Sequence, residues 1–425
     1  MTLKLNSVLK WYVVSILMLQ YFVSIRISGL PLITIPRILL VVGYAWFFFT
    51  PNNQQKFWDS VKQCNYSIYI LIYAFVCLYT AVLRRDSNTF LGYFIDCFLF
   101  FYLFQYILRY QLSISSFLRI VTVCLYIVCA LGMVEFATGF NVFTAFGIGE
   151  NDVISTSYRD NTLRISGPYG HPLAYGMVLL ILFPLTCYNY EENTINVFKN
   201  KTLLLLATIN VLCTGARSGV GLFALELVLL YLYTSKRYRG KAFLNVTVLI
   251  IAILGMILIL YEVPFVQYIL RQVFYVIDEI FGTKMALLVG GDSSIAASSI
   301  ARDRIWKILQ YKTLNPWLGR GTSNIGSFYI DGWNVTSIDN FFVRTYVSYG
   351  IPGVVAILLL YGKFIFTCVI NLIKKQDRCA AICLIAATMH FVNLLYVDEL
   401  ATYKYFYMLI ALSIVSLDRS VRWRK

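Results

Sequence analysis

The sequence predicts an all-α polytopic membrane protein with about 12 transmembrane helices. Three observations predict it. Apolar residues make up 59% of the 425-residue chain and charged residues only 13%, with a mean hydropathy of +0.70; a soluble domain carries about 25% charged residues. Runs of roughly 20 apolar residues recur along the whole chain, the length of a helical span and not the alternating ten-residue pattern of an outer-membrane barrel. Basic residues gather in alternate connections between those runs. Such a chain cannot cover a water-facing surface. That excludes a soluble enzyme, a nucleic-acid-binding protein, a disordered scaffold and a secreted disulfide domain.

The expected spans, in order, are about 8–27, 30–50, 67–83, 90–109, 116–138, 172–189, 200–215, 218–234, 243–262, 351–373, 380–397 and 402–417. The first follows Lys4 and Lys10 but ends without a small-residue cleavage site, so it reads as a span and not a removed signal. The second contains Pro36 and Arg37, and the eleventh contains His390. With the N-terminus inside, the inner connections hold nineteen Lys and Arg residues and the short outer ones five. That bias places both termini in the cytoplasm. The net charge of +15 therefore reports orientation, not nucleic acid. The chain divides into an N-terminal bundle (1–138), a first long outer loop (139–171) and a central bundle (172–262). A second long outer loop (263–350) and a C-terminal portion with a basic tail (351–425) follow. The second loop reads as helical, with a surface helix near 264–289, another near 297–312 and a third from Asn340 to Tyr349. No internal repeat of the transporter kind stands out.

The ten cysteines lie in or near apolar spans and include no C-x-x-C pair, and there are two histidines. Free cysteine behaves there as a small apolar residue. No metal site, P-loop or cofactor motif is read from the chain.

Chemistry gathers in the outer connections. Arg164-Ile-Ser-Gly-Pro-Tyr-Gly-His171-Pro forms a tight turn that delivers Pro172 to the first position of a helix. An anion is favoured beside such a helix N-terminus. Thr214-Gly-Ala-Arg217-Ser-Gly joins two spans through almost no loop, which places Arg217 at the membrane surface among small residues. Arg302-Asp-Arg304-Ile-Trp306 lies on the second loop helix. Asp339 and Asn340 precede a helix that either can cap, with Arg344 one turn on. Arg37, Glu135, Glu226 and Lys363 are ionisable groups inside spans, where function is the first hypothesis. The outer set is dominated by arginine, whose planar fork suits phosphate or diphosphate oxygens. Snorkelling arginines and helix capping are the plainer readings of the same residues.

The order of these motifs resembles the bacterial O-antigen polymerase and O-antigen ligase superfamily. An arginine and a Gly-Pro-x-Gly-x-Pro turn come first, then Thr-Gly-x-Arg-Ser. An Arg-x-x-x-Trp helix, a Pro-x-x-Gly-x-Gly turn and a helix opening at Asn340 follow. The resemblance covers roughly 160–355. It implies a fold like the C-type glycosyltransferases in the bacterial plasma (inner) membrane. The implied donor is a glycan on undecaprenyl diphosphate, used at the outer face without metal or nucleotide sugar. Membrane lipid, a chain-length regulator and a flippase are the implied partners. Ligases of the family carry a histidine where this chain has Asp339, which favours a polymerase over a ligase acting on lipid A-core. The implied chemistry assigns Arg217 and Arg302 to the leaving diphosphate, with Arg164 or Arg304 assisting. It leaves the general base open between Asp339 and His171. Arg344, Asn340 and Arg37 would support substrate binding, and Tyr169 and Trp306 would stack on sugar rings or anchor at the interface. A flippase or secondary transporter remains the alternative from another class, through Glu226 and Lys363.

Overall fold

The computed structural model describes residues 5–27, 31–149, 157–159, 162–290, 302 and 304–417. The molecule is a multi-pass bundle of α-helices. Among the described residues, four helices are long and apolar enough to cross a membrane alone: α4 (Ser67–Arg84), α5 (Ser87–Gln111), α6 (Ile114–Thr138) and α12 (Phe341–Lys375). Before them stand α1 (Leu5–Met18), α2 (Ile35–Phe48) and α3 (Pro51–Lys62). Between α6 and α12 run α7 (Pro172–Thr186), α8 (Lys201–Cys213), α9 (Arg217–Tyr233), α10 (Lys236–Leu260) and α11 (Pro264–Phe281). The last two are α13 (Arg378–Asn393) and α14 (Tyr403–Leu417).

The apolar helices of 13 to 16 residues, such as α8 and α13, rise only about 20–24 Å. That is less than a hydrocarbon core of about 30 Å. Helix α7 is enclosed by the others: every residue from Ala174 to Thr186 is buried. It packs on α13, α6, α9 and α8. A helix apolar all round belongs at the centre of a bundle, and α7 therefore forms a fixed post for the turn that precedes it.

Several boundaries differ from those the apolar runs suggest. The first run breaks at Met18, and Val23–Ser24 pair as a short parallel strand with Ile148–Gly149. A β-branched stretch found a partner strand that hydropathy could not show. The second run starts as helix only at Ile35, where Pro36 sits in the first turn. Helix α3, polar along one face, occupies what reads as a loop, anchored by buried Phe57 and Ser60. The surface helix near 264–289 is α11 followed by a 3₁₀ turn at Met285–Val289. The expected helix near 297–312 falls partly on 297–301 and 303, outside the described residues, as does the basic tail beyond 417.

The third loop helix and the tenth span are one element, α12, broken at Gly350 (φ 72°, ψ −167°). Pro352 has no N–H for Ser348 O, and the break withholds the Ile351 amide from Val347 O. Those two carbonyls accept instead from the 316–321 turn, Gly321 N to Ser348 O at 3.0 Å and Arg320 N to Val347 O at 2.7 Å. Ile351 N in turn donates to Pro316 O at 2.7 Å. Every backbone group freed by the kink thus finds a partner, as buried backbone must. A Cβ at Gly350 would stand 2.4 Å from Pro316 O, and one at Gly319 2.5 Å from Ser348 O. Only glycine permits this approach at positive φ.

Candidate active site

The predicted site residues collect at the end of the bundle that carries the two long connections. The turn before α7 is set by Glu135, near the C-terminal end of α6. Its Oε1 accepts from Ser166 N at 3.0 Å and its Oε2 from Gly167 N at 2.9 Å. This buried carboxylate stands beside two aligned amide donors, so its role is to hold the turn. The turn ends at His171, the N-cap of α7, whose Nδ1 accepts from Leu173 N at 3.1 Å. An accepting Nδ1 carries no proton, so neutral His171 carries its proton on Nε2. Burial lowers its pKa, and Arg164 lowers it further against the opposing Asp339. His171 is thus a neutral donor that feels both a cation, Arg164, and a carboxylate, Asp339.

Arg164 ends a short hairpin strand, and its Nε donates to Thr214 O at 2.7 Å. That carbonyl belongs to the α8–α9 junction, where Gly215 (φ 61°) brings the backbone against the Arg164 side chain. Arg217 opens α9 at this junction. It does not lie open at the membrane surface: it is 4% exposed, its guanidinium 4.5 Å from the centre of the Tyr275 ring. Of the small residues around it, Gly215 lies against Arg164 and Gly219 against Ala216, while α11 approaches at Gly221, two residues beyond the motif. A Cβ at Gly221 would meet Val276 on that helix at 3.1 Å.

Helix α11 also carries Glu279, which pairs with Arg302. Arg302 lies 5.4 Å from the centre of the Tyr396 ring, and Arg304 lies 4.6 Å from that of Trp333. Trp306 is 45% exposed. Asp339 is exposed and accepts from Ser337 Oγ at 2.7 Å. Arg164 therefore lies at the junction that opens into Arg217, and Arg164 and Asp339 both act electrostatically on His171 at the start of α7. Arg302 meets α11 at Glu279, one turn beyond the Tyr275 ring that covers Arg217.

Three candidates prove committed elsewhere. Asn340 is buried and caps α12, its Oδ1 accepting from Phe342 N and Val343 N and its Nδ2 donating to Leu395 O. Tyr169, expected to offer a ring to sugar, is in the core. Its hydroxyl donates to Leu17 O at 2.6 Å and its ring stacks on Tyr175. Arg37 makes a two-pronged pair with Asp96, Nε to Oδ1 at 2.9 Å and Nη2 to Oδ2 at 2.5 Å. Of the in-span carboxylates, Glu226 is fully buried in α9.

The structure adds residues that sequence reasoning passed over. Asp398 and Glu399 precede α14, and Arg344 pairs with Asp398. The next two residues, Leu400 and Ala401, both have positive φ (43° and 59°). Non-glycine residues held there are strained, and such strain concentrates at functional sites. His390 anchors this loop through Thr402, Nε2 to Oγ1 at 3.3 Å, and reaches Tyr361 with Nδ1 at 3.0 Å. The available signal was two adjacent carboxylates in the short link between two apolar runs.

Residues 202–358 match the protein family described as O-Antigen ligase. That stretch, less than half of the chain, is similar to the O-antigen polymerase and ligase superfamily. No curated protein matches it. The matched stretch contains Arg217, Arg302, Arg304, Asp339 and Arg344. Arg164 and His171 lie outside it, and the fold brings them to the Arg217 junction. Enzymes of this superfamily transfer glycans, and the domain implies a lipid-linked glycan substrate.

Proposed function

We propose that this protein is a polymerase that joins undecaprenyl-diphosphate-linked oligosaccharide repeat units at the outer face of the bacterial plasma membrane. The product is an O-antigen or capsular polysaccharide. The observation that carries the reading is the neutral His171 donor at the start of α7, under the influence of Arg164 and Asp339, with Arg164 held at the junction that opens into buried Arg217. About 12 crossings with both termini inside, a fold like the C-type glycosyltransferases, and an outward helical 263–350 loop complete it. The charge bias supports that orientation.

In the proposed reaction an acceptor sugar hydroxyl attacks the anomeric carbon of the donor glycan. The new C–O bond forms as the bond from that carbon to the diphosphate oxygen breaks. The leaving diphosphate takes the electron pair, and the hydroxyl proton passes to a base. His171 is a poor base here, because the lone pair of Nδ1 serves the helix and Nε2 already holds the proton. Asp339 takes that role. Negative charge grows on the leaving diphosphate, and donors fixed in a site from which water is excluded stabilise it most in the transition state. Arg217 and Arg302 fit that role, Arg164 and Arg304 assist, and the Nε2–H of His171 adds a neutral donor.

The ligase reading shares all of this chemistry and differs in the acceptor, lipid A-core. The carboxylate at Asp339, where ligases of the family carry histidine, supports the polymerase. The test is the surface glycan of cells lacking the protein, beside cells carrying Arg217→Ala and Arg302→Ala. A polymerase leaves single repeat units on the surface. Loss of surface glycan with long lipid-linked chains retained in the membrane makes it a ligase. Repeat units trapped on the cytoplasmic side make it a transporter and overturn the mechanism.

A further inference from the structure

A second polar space lies beside this arginine site. It is a cavity of about 250 Å³ between the start of α5, the first turns of α12 and the link before α14. Asp96, Asp398 and Glu399 line it, with Arg344 and Lys404. Asp398 is 5% exposed, and its Oδ2 side is taken by Arg344. Its Oδ1 is buried and has no hydrogen-bond partner among the described residues. A buried carboxylate oxygen without a donor is costly to fold around, which points to a ligand that brings one. Thr89, Thr345 and Ser348 add hydroxyls, and Tyr73 and Tyr403 add rings.

The charge pattern selects the ligand class. Three carboxylates disfavour phosphate here, in contrast to the arginines around α7. Two cations on the same wall offset most of that charge, so the wall as a whole suits a neutral polyhydroxyl group. Among the described residues, no group of His, Cys, Asp or Glu is arranged to hold a metal ion. Sugar hydroxyls donate well to carboxylates and accept from Arg and Lys. Asp96 lies in a π-helical segment of α5 (Phe94–Leu99) and holds Arg37. Arg37 lines an apolar groove of about 490 Å³ on the far side, with Leu32, Ile38 and Leu99. The polar cavity therefore adjoins an apolar surface through one ion pair, the arrangement that a sugar carried on a lipid requires.

Building on the glycan-transfer reading, we propose that this cavity is the acceptor-sugar subsite, where Asp398 and Glu399 receive hydrogen bonds from ring hydroxyls of the incoming lipid-linked repeat unit. Asp339, one residue before the α12 cap, acts electrostatically on both His171 and Asp398. The donor diphosphate and the acceptor sugar then occupy separate pockets.

Gly92 supplies the decisive variant. It lines the cavity on α5, and a Cβ there would meet nothing within 4 Å. Gly92→Leu fills the space, and leucine favours a helix over glycine. The purified full-length protein in phosphatidylethanolamine–phosphatidylglycerol nanodiscs is titrated with the soluble repeat-unit oligosaccharide released from the host's own lipid-linked pool. Binding is read by saturation-transfer NMR. The expected result is loss of binding in Gly92→Leu, about tenfold weaker binding in Glu399→Gln, and unchanged binding in Arg217→Ala. Wild-type binding in Gly92→Leu overturns the subsite. Transfer is assayed separately with lipid-linked donor. If wild type transfers no glycan while Gly92→Leu still abolishes sugar binding, the polymerase reading fails and the sugar site stands.

Discussion

His171 accepts the amide hydrogen of Leu173 at 3.1 Å through Nδ1, and this one bond decides what the histidine can do. It satisfies one of the orphan amides of α7 and leaves the imidazole proton on Nε2, away from the helix. Helix capping and substrate binding therefore use opposite sides of the same ring.

The two roles are separable by substitution. Asparagine caps helices well, so His171→Asn should keep the thermal midpoint while polymer synthesis falls about a hundredfold, the scale of losing one fixed donor. His171→Ala should lose that activity and also about 1 kcal/mol of stability with the cap. Because burial, then Arg164, lowers the His171 pKa, the protonated form appears only below the ordinary histidine value of about 6.5. Glycan synthesis assayed from pH 7 to 8 should show no step from this group.

Arg217 lies against the Tyr275 ring, where a planar guanidinium stacks and an ammonium does not. Arg217→Lys should therefore fail nearly as badly as Arg217→Ala, with both losing about a hundredfold or more in transfer rate. Tyr275→Phe keeps the ring face and should retain activity. Tyr275→Leu should lose part of it. Equal activity of Arg217→Lys and wild type would show that charge alone matters there.

The Gly350 break ties the 316–321 turn into α12. Gly350→Ala puts a Cβ against Pro316 O at a positive φ. It should cost about 1–3 kcal/mol and loosen that turn. Thermal unfolding in detergent, with proteolysis of the 311–338 region, reads both effects. The equivalent change at Gly92, inside α5 where a Cβ meets nothing, should instead raise the midpoint slightly.

Burial, with Asp398 adding to it and Arg344 opposing, raises the Glu399 pKa to about 7. Asp96 adds to the rise, and Lys404 faces the same cavity. A raised carboxyl is neutral below that value and charged above it. A charged carboxylate accepts stronger hydrogen bonds, so sugar affinity should climb as pH rises through about 7. Glu399→Gln should flatten that step, and a step of unchanged height in the variant would assign it to another group.

Membrane character, the central helices and the motif order were legible in the sequence because each is written in local pattern. Twenty apolar residues need no partner to announce a span, and Pro172, Gly350 and Pro352 act through their own backbones. The family resemblance rested on the same local motifs, and the match over 202–358 agrees with it. Less legible were Val23–Ser24, which pair with a strand more than 120 positions away, and α3, whose few buried residues sit in a polar run.

What the sequence determined by itself is a multi-spanning helical protein with arginine-rich connections and turns that only glycine and proline can make. Tertiary structure decided which of those arginines is buried, which is paired, and which carboxylates face a cavity. Arg37 and Arg217 look alike in a chain of letters. One is taken by Asp96 from a different helix and the other is roofed by Tyr275. Charge, burial and hydrogen-bond supply depend on neighbours distant in sequence, and only folding chooses those neighbours.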